Sequence, residues 1–229
     1  MKRCAYDVRR ITTKSGRRHY LFPDGREALT GTDVSHYVGP VDWNLVREDG
    51  ISFAFIRAGG RRFATGELFA DERCHENLDG AVSAGIPAGA YFFSSAKSRE
   101  EMTEETEYLV GLLEGHDITW PVVLDIEVPK EDWRTASLSA ELRTELSLIF
   151  KEKISSAGYR PMLYCNSIPG MQTLVDLSKL EDMDKWISEY RFKPYYPYDF
   201  GIWQYSCTAS IKGISGEGDL DLAFVDYGA

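Results

Sequence analysis

From residue 31 onward the chain alternates short apolar runs with helix-forming stretches, and this rhythm restricts its fold more than any other feature. Candidate strands cover 31–35, 53–58, 88–94, 122–127, 161–166, 185–190, 201–206 and 220–225. Several are continuously apolar rather than alternating, as strands covered on both faces require. The intervening helices have recognisable ends. Asp42 can cap a helix over 43–48, with Gly50 after it, and Gly85 closes the helix that holds Ala81 and Ala84. Ser98-Arg99-Glu100-Glu101 reads as a capping box opening a helix to about Leu113. Another helix runs from about Ser139 to Gly158. Strands interleaved with helices in this way predict an α/β protein, a single irregular (β/α)8-like barrel with a largely parallel sheet. The links after Tyr190 and Ser206 are too short for full helices. In such barrels the site lies at the C-terminal ends of the strands.

The first 30 residues differ. Ile11-Thr12-Thr13 and 18–22 flank Lys14-Ser15-Gly16-Arg17, a β-hairpin around a Gly turn, and Pro23-Asp24-Gly25 is a second turn. Residues 1–30 therefore read as a short N-terminal hairpin extension lying on one domain, residues 31–229. A chain of 229 residues, 43% hydrophobic, can bury one substantial core.

A net charge of −10 argues against nucleic acid as a partner, and it provides no attraction to an anionic wall or membrane, which specific contacts would have to hold. No apolar run reaches the roughly 18 residues a membrane span needs. The start, Met1-Lys2-Arg3-Cys4-Ala5, is basic without an apolar stretch and does not read as a signal peptide. Cys4, Cys74, Cys165 and Cys207, like the four histidines, are scattered without metal-ligand spacing. No metal or other cofactor is expected. A single Cys165–Cys207 disulfide is compatible with two strand ends.

The run Pro121-Val122-Val123-Leu124 ends in Asp125-Ile126-Glu127. Side chains alternate faces along a strand, so these two carboxylates point the same way, about 6.5–7 Å apart. Acids so placed at the end of a buried strand raise each other's pKa, and desolvation adds to the rise. One carboxyl can then stay protonated near neutral pH beside an ionised neighbour, as acid/base cleavage of a glycosidic bond requires. A metal site or a solvated strand exit uses the same pattern, and these residues alone leave all three readings open.

Other strand ends supply matching chemistry. The first strand carries Asp33, a candidate site acid or a turn residue; the last carries Asp219 and Asp221, of which Asp221 is set apart by Leu220 and Leu222. Aromatics stand at further ends: Tyr91 with Phe93, Tyr164, Trp186 with Tyr190, and Trp203 with Tyr205. Each could be ordinary core. Together, a groove of aromatics and carboxylates suits an oligosaccharide, whose rings offer apolar faces and polar edges. Arg57 would be costly in a core unless paired with such acids.

Gly31-Thr32-Asp33-Val34-Ser35-His36-Tyr37, Val41-Asp42-Trp43, Phe53-Ala54-Phe55-Ile56-Arg57-Ala58-Gly59, Ala84-Gly85-Ile86-Pro87-Ala88-Gly89-Ala90-Tyr91-Phe92-Phe93-Ser94, Val123-Leu124-Asp125-Ile126-Glu127, Tyr164-Cys165-Asn166, Trp186-Ile187-Ser188-Glu189-Tyr190, Trp203-Gln204-Tyr205 and Asp221-Leu222 follow one another in order. This succession resembles the glycoside hydrolase family 25 muramidases over about residues 30–226. The resemblance implies an irregular (β/α) barrel that hydrolyses the β-1,4 bond between N-acetylmuramic acid and N-acetylglucosamine in peptidoglycan. It implies Glu127 as general acid/base and Asp125 as the carboxylate assisting the substrate's 2-acetamido group. Asp33 and Asp221 match the other two acids of the pocket. Arg57, Tyr91, Phe93, Tyr164, Trp186, Tyr190, Trp203 and Gln204 are the expected substrate-binding residues. The family is thought to retain anomeric configuration with the acetamido group as internal nucleophile, a case outside the carboxylate-separation rule.

Three positions depart from the family pattern: Val38 for a glutamine, Ala223 for an asparagine, Thr32 for an apolar residue. None is an acid, so they bear on substrate preference and rate. The expectation is a monomeric bacteriolytic lysozyme that acts on peptidoglycan glycan strands outside the cell or at the cell wall, with a native leader or anchor missing from this sequence. Its rivals are a binding module on a decayed barrel and a related N-acetylhexosaminidase.

Overall fold

The computed structural model describes residues 1–166 and 168–228. The chain opens with a hairpin, β1 (Ile11–Lys14) and β2 (Arg17–Tyr20), joined through Ser15 and Gly16, both at positive φ (52° and 82°). A two-residue turn with both central φ positive matches the twist of the strands it joins.

The barrel follows: β3 (Leu29–Val34), α1 (Trp43–Glu48), β4 (Phe53–Arg61), β5 (Leu68–Ala70), α2 (Cys74–Ser83), β6 (Ala88–Phe93), α3 (Arg99–Leu113), β7 (Ile118–Ile126), α4 (Ala140–Ser156), β8 (Pro161–Cys165), α5 (Ile168–Thr173), β9 (Asp184–Ser188), β10 (Ile202–Ala209) and β11 (Gly218–Ala223). Strands β3, β4, β6, β7, β8, β9 and β10 pair in parallel in that order. β11 closes the circle between β10 and β3, antiparallel to both. The sheet is thus a closed eight-stranded barrel with one reversed strand. A link of only 210–217 leaves no room for the crossover helix a parallel strand requires, so the chain returns as a hairpin. β5 is an appendage on the edge of β4, which runs to Arg61, beyond its expected end.

Helix ends follow local chemistry. The Asp42 carboxylate accepts from the backbone N–H groups of Asn44 and Leu45, and Ser98 Oγ accepts from Glu101 N at 3.2 Å. The capping box is not reciprocal, because the Glu101 carboxylate takes Lys97 N at 2.8 Å instead. Helices α2, α3 and α4 bury Leu78, Leu109, Phe150 and Ile154 against the outside of the sheet.

Among the described residues no helix packs extensively on the outside of β10 and β11. The N-terminal segment does. Tyr6 stacks on Phe224 (4.4 Å), and Tyr20 sets its edge against Phe22 (4.9 Å) and Phe224 (5.1 Å). Ile11 and Tyr20 belong to the main core.

Inside the barrel, aromatic rings stack in pairs: Phe53 on Trp120 (4.1 Å) and Phe55 on Trp186 (4.7 Å). Gly31 and Gly89 leave room for the two phenylalanines; a Cβ there would fall 2.2 Å and 2.5 Å from their rings. This packed lower half, worth about 1.5–3 kcal/mol per buried side chain, confines solvent access to the top. No disulfide joins Cys165 to Cys207: the first is buried in β8, the second exposed on β10.

Candidate active site

Period-two alternation sends one residue in two toward the barrel axis. At the C-terminal ends of the parallel strands this brings in Asp33, Arg57, Tyr91, Asp125 and Tyr164, then Gln204. β11 runs the other way, so its first residues lie at the same end, and Asp221, just past its middle, sits deeper, paired with Gly31 and Gln204.

Two tiers result. The upper one is a cleft of about 510 Å³ lined by Arg57, Tyr91, Phe93, Asp125 and Glu127 among others. The lower tier is a hydrogen-bonded floor. Gln204 Nε2 donates to Asp33 Oδ2 (2.7 Å), and Gln204 Oε1 accepts from the hydroxyls of Tyr164 (3.0 Å) and Tyr190 (2.9 Å). Trp186 Nε1 donates to Asp221 Oδ1 at 2.8 Å. Trp186 is buried, so it supports the site from beneath. Tyr190 lies just past β9 and reaches back by its hydroxyl.

Trp203 is not brought into the site. It neighbours the inward Gln204, so alternation turns it outward into the main core, where its Nε1 donates to the Glu189 carbonyl at 2.8 Å.

Burial, then the charges of Glu127 and Asp33, holds the Asp125 carboxyl well above the usual carboxylate range, with Arg57 opposing. Burial also raises Glu127, against Lys130. Asp33 is raised by burial and Asp221, and Asp221 by burial and Asp219. Asp219 is pushed up to about 8 by burial and Asp33. So many acids in one desolvated pocket cannot all ionise near neutral pH; the cluster stores protons. Asp125 Oδ1 is buried with no hydrogen-bond partner among the described residues. Such an acceptor is a ready mate for a ligand donor.

Arg57 owes its position to a residue the sequence did not single out. Asp71, fully buried, accepts from Arg57 Nε (2.7 Å), His36 N (3.1 Å) and Arg73 N (3.0 Å). Sequence reading also missed Tyr37, Arg62, Phe63, Phe69 and Trp133 on the cleft wall. For Tyr37, Phe63 and Trp133 the available signal was position, since aromatics in the segments after strand ends fall at the barrel mouth; Arg62 and Phe69 had none. Among the described residues no three His, Cys, Asp or Glu side chains converge to hold a metal ion, and no helix is long and apolar enough to cross a membrane.

The chain is 27% identical over 194 residues to the autolytic lysozyme of Clostridium acetobutylicum, covering 84% of this chain but 55% of that protein, about half its length. It is 28% identical over 207 residues to lysozyme M1 of Streptomyces globisporus, covering 86% and 68%. Among solved structures, the bacterial lysozyme from Streptomyces coelicolor superposes with a TM-score of 0.71 at 24% identity, over 86% of this chain and 92% of that one. A family 25 glycosyl hydrolase from Bacillus anthracis gives 0.67 at 22%, over 93% and 96%. The profile of glycosyl hydrolases family 25 matches residues 32–214, a span that holds Asp33, Asp125 and Glu127 and stops short of Asp221. With the closed barrel and its acid-lined mouth, this match settles the affiliation: the chain belongs to glycosyl hydrolase family 25.

Proposed function

We propose that the chain is a peptidoglycan hydrolase, an N-acetylmuramidase or lysozyme, that cleaves the β-1,4 bond between N-acetylmuramic acid and N-acetylglucosamine. The observation that carries this reading is the Asp125–Glu127 pair at the end of β7, desolvated and open to a cleft, in a chain of this family. Glu127 protonates the glycosidic oxygen as the C1–O bond breaks, and the substrate's acetamido oxygen closes on C1 from the other face. The acetamido N–H donates to Asp125 Oδ1, the acceptor left without a protein partner. That bond keeps Asp125 ionised, and its charge holds the shared proton on Glu127 until it is needed. Glu127, now a carboxylate, then takes a proton from the water that opens the cyclic intermediate. Asp33, Asp221 and Gln204 fix the floor; Arg57 and Tyr91 line the approach.

The reading places the working protein outside the cell or at the wall, as a monomer, with residues 31–229 as its catalytic domain and residues 1–30 as a covering extension. Digestion of purified peptidoglycan, with mass spectrometry of the new reducing ends, tests it. Muramic acid ends are expected. Glucosamine ends would mean a hexosaminidase of another specificity, and intact glycan with retained binding would mean a module that only grips.

A further inference from the structure

Beside Glu127, the cleft is walled by two loops, 62–67 after β4 and 127–139 after β7. Each contributes one aromatic ring, and the two rings stack: Phe63 lies on Trp133 with centroids 4.9 Å apart and planes 19° from parallel. Phe93 sets its edge against Trp133 at 5.8 Å. Phe63 nevertheless remains 40% exposed. A large ring backed on one side and open on the other is a flat apolar shelf, and it lines the same cleft as Asp125 and Glu127.

The shelf is braced from below. Arg134 N donates to the Phe63 carbonyl at 3.1 Å, tying the two loops together. The Arg134 guanidinium holds both oxygens of Glu101 on α3 (2.6 and 3.0 Å). It packs so closely under Gly66 that a Cβ there would lie 2.8 Å from it, at a residue whose φ is +81°. A bidentate arginine brace spends side-chain freedom to fix loops that otherwise carry little core.

Resting on the glycan-hydrolase reading above, we propose that Phe63, backed by Trp133, is a binding subsite for the apolar face of an N-acetylhexosamine ring in the strand being cut. The ring adjoins the cleavage point, so the shelf orients the strand across Glu127. A pyranose presents its axial C–H groups to such a surface, and stacking of this kind contributes about 0.5–1.5 kcal/mol, roughly 2- to 12-fold in affinity.

The test uses the whole chain carrying Glu127→Gln, which binds without cutting, and the tetrasaccharide of alternating N-acetylglucosamine and N-acetylmuramic acid. Four of the five tryptophans are buried, and Trp133 is the one that is not. Its fluorescence should therefore shift on titration, and the shift should disappear when Trp133→Phe is added. Phe63→Ala, at a partly exposed position, should weaken binding roughly 2- to 12-fold by calorimetry. Tetrasaccharide binding with silent fluorescence and an unchanged constant in Phe63→Ala would overturn the shelf and leave the hydrolase reading intact. No binding to the Glu127→Gln protein at all would overturn both.

Discussion

Asp125 stands near the end of β7 and Glu127 directly after it, both lining one cleft, and the separate roles proposed for them can be read by changing one at a time. Glu127→Gln keeps shape and hydrogen-bonding capacity but has no proton to give. Loss of general acid catalysis costs about 10²–10⁴-fold, so clearing of cell walls should nearly vanish while wall binding survives; brisk clearing would remove Glu127 from its role. Asp125→Asn should also slow turnover strongly, and in addition it should move the basic limb of the pH–rate curve to lower pH. In the proposed substrate complex Asp125 is held ionised by the acetamido N–H, so removing its charge there makes Glu127 easier to ionise. A basic limb that stays in place while activity remains measurable would show that the two are not coupled. The i, i+2 spacing at the end of an apolar run made this pair legible in the sequence. The same periodicity could have chosen between Trp203 and Gln204, since adjacent strand residues cannot both face the axis; Gln204 does, and Trp203 is core. Phe63, Trp133 and Asp71 were not legible. Phe63 and Trp133 meet from two separate loops, and Asp71 meets Arg57 on β4, 14 residues back, so no local pattern announces the ring stack or the buried ion pair.

At the scale of elements, caps and apolar runs located the strands and the helices that matter for the site. The direction of the last strand escaped the pattern. A run such as Leu220-Asp221-Leu222 reads the same in either orientation, and only the short link before it distinguishes a hairpin from a crossover. That reversal has a consequence for the opposite end of the chain. With no helix among the described residues packed extensively on β10 and β11, the segment before β3 supplies cover through Tyr6, Ile11, Tyr20 and Phe22. Tyr20 is 2% exposed and sits among four aromatic rings counting its own. Truncation of a buried ring of this size costs about 3–5 kcal/mol. Tyr20→Ala should therefore lower the urea midpoint markedly, while leaving kcat/KM on cell walls unchanged below the transition. An unaltered midpoint would mean that the N-terminal segment is not part of the cooperative fold.

Across the whole molecule, the site is a cost to the fold, and pH should reveal it. Burial raises Asp33, Asp125, Glu127 and Asp221, lifts Asp219 to about 8, and, away from the cleft, lifts Glu105 to about 7. In the unfolded chain these carboxyls titrate near 4. Between about pH 4 and 8 the folded protein thus binds more protons than the unfolded one, and stability falls as pH rises. Each group titrating in that window adds at most about 1.4 kcal/mol per pH unit to the slope. Asp71 is shifted downward, so it is ionised in both states across this range and adds no slope; its contribution is lost only in stronger acid. Melting temperature should therefore be higher at pH 5 than at pH 8. Asp221→Asn should flatten the dependence and stabilise the protein at pH 8, because the amide oxygen can still accept from Trp186 Nε1 and no buried charge has to form. The same variant should lose activity through the disturbed floor under Asp33 and Gln204. Some slope should remain, since Glu105 is untouched. A melting temperature that climbs from pH 5 to pH 8, or an Asp221→Asn protein less stable than its parent at pH 8, would show that the acids at the barrel mouth are ionised and well solvated in the fold.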